Sequence, residues 1–508
     1  MNQYLYGADV QGIQSYIFET NKLREIGGAS ELIERICGPL LRKHFEQSGL
    51  AYRKEQTLRA AAGSIRYVFT NRESCQKFVR GFEKRVYEAV PGITLSQAVV
   101  PVASTLRDAD REVNQRLRQA RIMASPLPNL GWMISERSRR TGRTGINWDQ
   151  AKAVIDQRQE AKRKANPKEA HTKLYEKLLG KNSGYQNQEI PHDLIDITQN
   201  EDRRFLAVVH ADGSGIGKLI QQLLDSDNGK NTNDQRSLEK YREFSETLEE
   251  ATVAAVRTAF DCDIRPDFEK RLEEDPNRKH RLPIRPVIIG GDDVTFIMDA
   301  RYALEFTQTY LREFERETKQ RFLAYGKKYG VQKLFQQGLT AGAGVAFVKP
   351  KFPFHYAIHL AENLCNWTKN IAKEIDSDRP ASGLHFHKVQ SSFVKPYSDI
   401  LREELTDLQN RRLTAGPYFL DPPDGYYSVD ELLKWTKYLR REESPTGPLR
   451  NYLGELRENT AAAEQSLERI QQVNTSEVVR SLNLGDLFQT RDKQQLTYLG
   501  DALALQNL

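Results

Sequence analysis

Three aspartates are the residues of this sequence best suited to chemistry. Asp292 and Asp293 follow Gly290 and Gly291 between two apolar runs, and Asp212 ends another apolar run earlier in the chain. An aspartate pair at a hairpin tip beside a third aspartate suits a hard divalent cation, because Mg²⁺ prefers oxygen ligands and often takes only one or two carboxylates. Without a cation, three neighbouring carboxylates would repel one another. The pattern predicts that Asp212, Asp292 and Asp293 are catalytic and bind Mg²⁺ or Mn²⁺. An ordinary surface turn at 290–293 is the alternative, since these residue types also favour turns.

A glycine-rich segment beside Asp212 is suited to binding phosphate. It follows a predicted strand and begins a predicted helix, whose first amides and dipole attract anions. It is not a Walker A loop, because Asp212 stands at the first glycine position and Leu219 follows Lys218 in place of Ser or Thr. Lys218 and Lys369 can each reach a triphosphate, with a solvent-exposed lysine as the alternative for both. The predicted nucleotide-binding residues of this half are Gly213, Ser214, Gly215, Lys218, Gly290, Gly291 and Lys369.

The elements that must position these residues occur twice. Residues 1–123 carry the patterns of strand, helix, strand, strand, helix and strand, the order of a ferredoxin-like unit, and 201–389 repeat that order. Residues 124–200 form a polar, charged stretch that we interpret as a mostly helical connection. The spacing of apolar residues in 390–508 predicts a helical C-terminal domain. The predicted class is therefore α+β, with two ferredoxin-like domains.

The two halves can be compared position by position. Residues 9–13 and 212–216 share an aspartate at the end of a strand, followed by Gly-Ile. Downstream, 61–69 correspond to 290–298, but the second half alone keeps the carboxylate pair. A duplicated domain with one degenerate copy explains this pattern. Chance similarity is the alternative, because similar turn residues between a strand and a helix are common.

Composition limits the class without naming a function. The chain has 508 residues, of which 39% are hydrophobic, and its net charge is +6. These values exclude collagen-like and wholly disordered chains, and no apolar run is long enough to span a bilayer. Four distant cysteines form no CxxC pair, and no export signal is apparent at the N-terminus. We therefore expect a cytoplasmic protein without a membrane partner.

Several segments together resemble the Cas10 family, the polymerase-like large subunit of type III CRISPR effector complexes. The segments that carry the resemblance are 9–18, 28–30, 210–213, 290–293, 347–353 and 382–387. The resemblance covers nearly the whole chain and implies two palm domains of the polymerase and cyclase type, a connecting domain and a helical C-terminal domain.

The resemblance also implies an activity. Members of the family convert ATP to cyclic oligoadenylate when guide RNA, held with other effector subunits, pairs with target RNA. Carried onto this sequence, Asp212, Asp292 and Asp293 would bind the metal ions of the second palm. The first palm would supply an ATP-binding surface at Asp9, Gly12, Ser30 and Gly63.

The sequence departs from the family in two places. Many relatives begin with an HD nuclease domain, whereas here the first palm pattern starts almost at residue 1, so we expect no DNase activity. The connecting domain of relatives often binds zinc through cysteines, but 134–143 contain none, so we expect no structural zinc.

Other functions remain open at this point. Some relatives join ATP to S-adenosylmethionine. A diguanylate-cyclase-like enzyme using GTP shares the Gly-Gly-acid-acid hairpin, although such enzymes usually have one palm per chain. A scaffold subunit without catalysis is the third alternative, and the intact set of aspartates argues against it.

Overall fold

A computed structural model provides the structure of the protein. It describes residues 3–20, 22–61, 63–103, 105–123, 134–149, 152–165, 174–180, 185, 189–191, 193–198, 205–225, 234–276, 280–390, 395–473, 487–491 and 493–508. Helices and sheets alternate along these ranges, and the predicted α+β class is confirmed.

The first palm is built on a four-stranded antiparallel sheet with the strand order β2–β3–β1–β4. This is the ferredoxin-like order that the element pattern predicts. Its strands are β1 (Gln3–Gln11), β2 (Thr57–Ala61), β3 (Ser64–Phe69) and β4 (Thr94–Val102). Its helices are α1 (Ile13–Ile17), α2 (Leu23–Cys37), α3 (Pro39–Gln47), α4 (Arg72–Ala89) and α5 (Leu106–Met123). Helix α4 begins where the Asn71 side chain accepts a hydrogen bond from the Ser74 amide, which satisfies one of the unpaired donors at a helix start.

The second palm repeats this order and extends it. Strands β7 (Leu206–Gly213), β8 (Ile284–Gly290), β9 (Asp293–Asp299) and β10 (Ala341–Val348) lie in the order β8–β9–β7–β10. Strand β11 (Gly383–Lys388) adds in parallel to β10, and β12 (Tyr418–Phe419) closes the sheet. The helices are α8 (Ile216–Asp225), α9 (Asp234–Asp263), α10 (Arg265–Glu274), α11 (Ala303–Tyr329) and α12 (Phe354–Ile375). The sheet therefore has six strands, two more than a ferredoxin-like unit.

Strands as well as helices occur among the described residues of the connecting region. Its described residues include a hairpin of β5 (Gly145–Trp148) and β6 (Val154–Asp156), together with α6 (Gln157–Lys164) and α7 (Leu194–Ile197). Strands of four and three residues are too short for an alternating pattern to be visible in the sequence.

The C-terminal region also contains strands that the sequence does not predict. Its helices are α13 (Tyr397–Glu403), α14 (Val429–Leu439), α15 (Thr446–Glu455), α16 (Thr460–Val473) and α17 (Leu499–Leu505). A short hairpin of β13 (Gln489–Arg491) and β14 (Gln494–Leu496) joins them, and β12 belongs to the second-palm sheet. The described residues of this region are therefore mostly helical, with three short strands in addition.

One hydrophobic cluster contains buried residues of both palms. Tyr6 and Ile26 of the first palm belong to the same buried cluster as Val208 and Phe354 of the second. Such continuous burial removes apolar surface of both palms from water and so favours their association. The cleft between their strand ends is consequently formed by both halves of the chain. Within the described ranges, no helix is both long and apolar enough to cross a membrane.

Candidate functional site

Strand pairing brings Asp212 and Asp293 together. Strand β7 runs antiparallel to β9, and Asp212 lies directly opposite Asp293 in the register. Opposite residues of an antiparallel pair project from the same face, with Cβ atoms roughly 5 Å apart. Two of the three predicted carboxylates therefore share one face at one end of the second-palm sheet.

The tight turn between β8 and β9 brings Asp292 to the same place. Gly291 has a φ of 63°, a left-handed conformation that glycine adopts without strain. The Gly213 amide donates to the Asp292 carbonyl at 3.2 Å, and a Cβ on Gly213 would lie only 2.9 Å from the Cβ of Asp292. Gly213 is therefore needed for close approach between the end of β7 and the turn.

The aspartates of the turn lie in an environment that disfavours their charge. Burial, followed by repulsion from Asp212, raises the pKa of Asp292 to about 7 and that of Asp293 to about 8. Oδ1 of Asp293 is buried and has no hydrogen-bond partner. The nearest cationic candidate, His210, has its Nδ1 3.4 Å from that oxygen, but burial lowers the pKa of this histidine. The Nδ1 atom of His210 also lies 3.1 Å from the Thr295 hydroxyl.

Lys369 supplies a positive charge to this site. Its Nζ lies 2.5 Å from Oδ2 of Asp212 and donates to the Gly213 carbonyl at 2.9 Å. Burial lowers the pKa of Lys369, but contact with the Asp212 carboxylate outweighs it, and the net shift is upward. The lysine side chain is 22% exposed, so it lies at the edge of the site.

A basic cleft of about 800 Å³ opens on the Lys369 side. The start of α8 contributes Ser214, Gly215 and Lys218 to it. The other cationic side chains that line it are Lys333, Lys373 and Arg379. Lys218 forms an exposed ion pair with Asp378 at 3.0 Å across the cleft mouth. This surface has the charge and the helix start that suit a polyphosphate.

A second cleft, of about 300 Å³, lies between the palms on the other side of the carboxylates. Gly291 and Asp292 line it from the second palm, and Arg59 on β2 lines it from the first. The charge of Arg59 opposes the rise in the pKa of Asp292, and its side chain hydrogen-bonds Tyr241 of α9. Other lining residues from both palms are Arg42, Tyr52, Lys54, Arg242, Glu246 and Glu249.

The fit of a divalent cation can be judged from the donor set. Within the part of the chain that the structure describes, no group of three or more His, Cys, Asp or Glu side chains is arranged to hold a metal ion. The predicted three-carboxylate ligand set is thus not assembled in this conformation, in which Asp212 pairs with Lys369 instead. The partnerless buried oxygen of Asp293 opposite Asp212 does fit Mg²⁺, which often takes two carboxylates and completes its shell with phosphate oxygens and water.

The resemblance implies that four residues of the first palm contact ATP, and these residues lie outside the two clefts described above. Asp9 is held by Arg66 at 2.9 Å and by Arg121 at 3.3 Å. Ser30 is buried and donates to the carbonyl of Val287 on β8 at 3.0 Å. Gly12 starts α1 with a φ of 59°. Gly63 turns the β2–β3 hairpin with a φ of 74°, in contact with Ile13 and Val10.

The ATP-binding surface expected at these four residues stays a prediction. None of Asp9, Gly12, Ser30 and Gly63 lines either cleft beside the aspartates. Asp9 is neutralised by arginines and Ser30 holds the palms together, so both side chains already have structural partners. The first palm instead reaches the cleft through Arg59 and its neighbours on β2.

Sequence reasoning did not identify Arg59, His210 as a neighbour of Asp293, or the cations Lys333, Lys373 and Arg379. Arg59 lies two residues before 61–64, the segment that corresponds to 290–293. This proximity is the one signal in the sequence that points to Arg59. The basic residues of the large cleft come from three separate elements, and nothing in the linear order connects them.

Comparison with known families identifies the second palm. Residues 205–377 match the family model described as Cas10/Cmr2, second palm domain. This part of the chain is therefore a palm of the Cas10/Cmr2 type, and the family resemblance drawn from the motifs is confirmed. By sequence, no curated protein matches the chain.

Solved structures extend the likeness to the whole fold. The Csm1–Csm4 cassette in complex with pppApApA matches with a TM-score of 0.55 at 13% identity, over 100% of this chain and 69% of that chain. The Csm1–Csm4 subcomplex of a type III-A CRISPR-Csm interference complex matches with 0.54 at 11% identity, over 99% and 69%. The cassette in complex with one ATP matches with 0.53 at 14% identity, over 100% and 70%. At these identities the likeness shows the fold.

Proposed function

We propose that this protein is the nucleotidyltransferase of a type III CRISPR antiviral system, and that it converts ATP to cyclic oligoadenylate. The observation that carries the proposal is the cross-strand pair of Asp212 and Asp293. Asp293 has a buried oxygen without a hydrogen-bond partner, and Asp212 contacts Lys369, which lines the basic cleft. Acidic metal ligands next to a polyphosphate-binding surface are what phosphoryl transfer from ATP requires.

The proposed reaction joins two nucleotides. The 3′ oxygen of one ribose forms a bond to the α-phosphorus of a second ATP, the bond from that phosphorus to the β-phosphate bridge breaks, and pyrophosphate leaves. The hydroxyl proton is lost to water. Repetition lengthens the chain. The terminal 3′ oxygen then bonds to the α-phosphorus of the first nucleotide, the bond from that phosphorus to the β-phosphate bridge breaks, pyrophosphate leaves, the hydroxyl proton is lost to water, and the ring is closed.

Each group of residues has a part in this scheme. Asp212 and Asp293 would hold the divalent cation, with Asp292 adjacent to them. Bound Mg²⁺ or Mn²⁺ would stabilise charge on the attacking and leaving oxygens. The amides of Gly213, Ser214 and Gly215, with Lys218, would orient the triphosphate. Gly290 and Gly291 would let the nucleotide approach the turn closely.

Partners are proposed by analogy with the structures of similar fold, which contain Csm1 with Csm4. We infer that other effector subunits hold guide RNA against this chain, and that pairing with target RNA switches synthesis on. The same analogy to structures with ATP and pppApApA supports adenine nucleotides as substrates.

A single assay tests the proposal. The chain, alone and assembled with its partner subunits, guide RNA and target RNA, is incubated with Mg²⁺ or Mn²⁺ and each nucleoside triphosphate, and products are resolved by mass spectrometry. We expect an ATP-derived cyclic product that is absent from an Asp292→Ala, Asp293→Ala variant. Asp261→Asn, on an exposed face of α9, is the matched control and should keep the product.

The other outcomes separate the alternatives. Product from GTP alone would indicate a diguanylate-cyclase-like enzyme, and product only with added S-adenosylmethionine would indicate the conjugate. Absence of product in all arms, with complex assembly intact, would indicate a scaffold. Undiminished product from the double variant would contradict the assigned site.

A further inference from the structure

Lys369 contacts two oxygen atoms of the kind that bind a divalent cation. Its ammonium lies 2.5 Å from a carboxylate oxygen of Asp212 and 2.9 Å from the carbonyl oxygen of the next residue, Gly213. Carboxylate and backbone carbonyl oxygens are also the ligands that hard divalent cations take in proteins. A lysine in this position and a metal ion bound to Asp212 therefore use the same atom.

The position of Lys369 is built into the packing of α12 on β10. On α12, the Cys365 thiol donates to the Gly342 carbonyl at 3.2 Å and the Thr368 hydroxyl to the Ala343 carbonyl at 3.3 Å. Gly342 itself lies opposite Asp212 in the sheet. A Cβ at Gly342 would lie 2.5 Å from Cγ of Lys369, so any other residue at this position would displace the lysine stem from its present path past β10 to Asp212.

A second location is available to the same side chain. Lys369 also lines the basic cleft of about 800 Å³, on the side where Lys218 and Arg379 lie. A triphosphate in that cleft would attract the ammonium strongly, because charge-assisted contacts to phosphate are among the strongest hydrogen bonds in proteins.

Resting on the proposed function, we propose that Lys369 is a positioning residue that competes with the divalent cation for Asp212. It neutralises Asp212 before substrate binds and transfers to the triphosphate when the nucleotide enters. Metal and nucleotide then bind cooperatively, because each favours the state in which Lys369 has left the carboxylate. The two ligands are thereby loaded together.

The test measures Mn²⁺ binding to the full chain without nucleotide, by electron paramagnetic resonance of the free ion. Lys369→Met should bind Mn²⁺ about tenfold more tightly than the wild type, because one charge-assisted contact no longer competes. Lys218→Met is the matched control: it removes a cation from the same cleft that does not touch Asp212, and its affinity should stay within about twofold. Equal affinity of Lys369→Met and the wild type would overturn the proposal.

Gly342→Ala separates direct contact from the general effect of charge. It keeps the ammonium but displaces the lysine stem, so Mn²⁺ affinity should rise in this variant too. A rise in Lys369→Met with no rise in folded Gly342→Ala, as judged by circular dichroism, would show a distant charge effect and overturn direct competition.

Nucleotide provides the second measurement. A non-hydrolysable ATP analogue should raise the Mn²⁺ affinity of the wild type by a larger factor than that of Lys369→Met, and equal factors would overturn the transfer to phosphate. Failure of the inference can be told from failure of the proposed function. If Asp292→Ala, Asp293→Ala abolishes Mn²⁺ binding while Lys369→Met equals the wild type, only the inference fails. If Mn²⁺ binds neither the wild type nor Lys369→Met, or binds the double variant as tightly as the wild type, the inference and the proposed function both fail.

Discussion

The two palms place an aspartate at the same position and neutralise it in different ways. Asp9 lies opposite Ser64 as Asp212 lies opposite Asp293. In the first palm the neutralising cation is Arg66, which belongs to the sheet itself and is only 7% exposed. In the second palm it is Lys369, which arrives from a helix.

This difference separates a structural ion pair from an exchangeable one. Arg66 also contacts Asp110 at 3.6 Å and Asn114 at 2.9 Å, so its guanidinium is held on several sides. Lys369 has an open cleft beside it. Arg66 corresponds in register to Thr295 of the second palm, whose hydroxyl lies 3.1 Å from Nδ1 of His210. The first palm has Gly63 and Ser64 where the second has Asp292 and Asp293, so its strand-end aspartate faces an arginine and not a second carboxylate.

Replacing Asp293, which has no carboxylate counterpart in the first palm, should give the largest change in the rate of ATP conversion. Asp293→Ser copies Ser64 of the first palm and removes one proposed metal ligand, so we expect the rate of ATP conversion to fall about 10³-fold, since a metal ion supplies several kcal/mol of transition-state stabilisation. Ser64→Ala, at the matching position, should change the rate by less than about twofold. Similar losses in both variants would contradict the assignment of separate roles to the palms.

The arginine of the first palm should matter for stability. Arg66→Ala leaves Asp9 and Asp110 without their shared partner, and loss of one member of a buried pair costs about 3 kcal/mol of unfolding free energy. Lys369→Ala should cost less than about 1 kcal/mol, because its pair is nearer solvent. Urea unfolding of both variants measures these losses of stability. Equal shifts in the urea midpoint would contradict the expectation that Arg66 contributes more to stability than Lys369 does.

The two sites should also respond to pH with opposite sign. Burial raises the pKa values of Asp292 and Asp293 from 3.8 to about 7 and about 8. Between about pH 4 and pH 8 the folded state therefore binds more protons than the unfolded state. These two groups make the free energy of unfolding fall as pH rises through that range. For Asp9, burial is outweighed by Arg66 and the pKa is lowered, so its contribution is present above pH 3.8 and is lost as pH falls through the folded-state pKa.

Unfolding midpoints in urea with a chelator present measure these opposite signs. Relative to the wild type, Asp292→Asn, Asp293→Asn should gain stability as pH rises from about 5 to 8. Asp9→Asn should be less stable than the wild type at neutral pH and approach it in acid. A difference in unfolding midpoint from the wild type that does not change with pH would contradict the pKa shift of the residues replaced in that variant.

The smallest expected effect concerns the contact between the palms. The proposed reaction joins two nucleotides, and we expect the second in the inter-palm cleft that Arg59 lines with Asp292. Arg59→Ala should then raise the KM for ATP about tenfold with a smaller change in kcat, because one charge-assisted contact is worth about 1.5 kcal/mol. Arg80→Ala, which lies outside this cleft, is the control. A fall in kcat with unchanged KM would instead indicate that Arg59 acts on the carboxylates.

Much of this fold could be predicted because its strands alternate with long amphipathic helices. Strand β7 and helix α12 have strong apolar periodicity, and the duplicated Asp-x-x-Gly-Ile segments reveal the repeat. The β5–β6 hairpin could not be predicted, since its strands have too few residues. The membership of β12 in the second-palm sheet was equally hidden, because a two-residue strand is fixed by its partner and not by its own pattern.

The sequence by itself determined which side chains could bind a cation and that only one of the two corresponding hairpins carries the carboxylate pair. The tertiary structure decided the partners of those side chains: Lys369 for Asp212, Arg66 for Asp9, and Arg59 for the cleft beside Asp292. Local patterns define strands, turns and their registers, because these depend on neighbours along the chain. Contacts between distant elements depend on how sheets and helices pack, as where Gly342 on β10 leaves room for the Lys369 side chain beside Asp212.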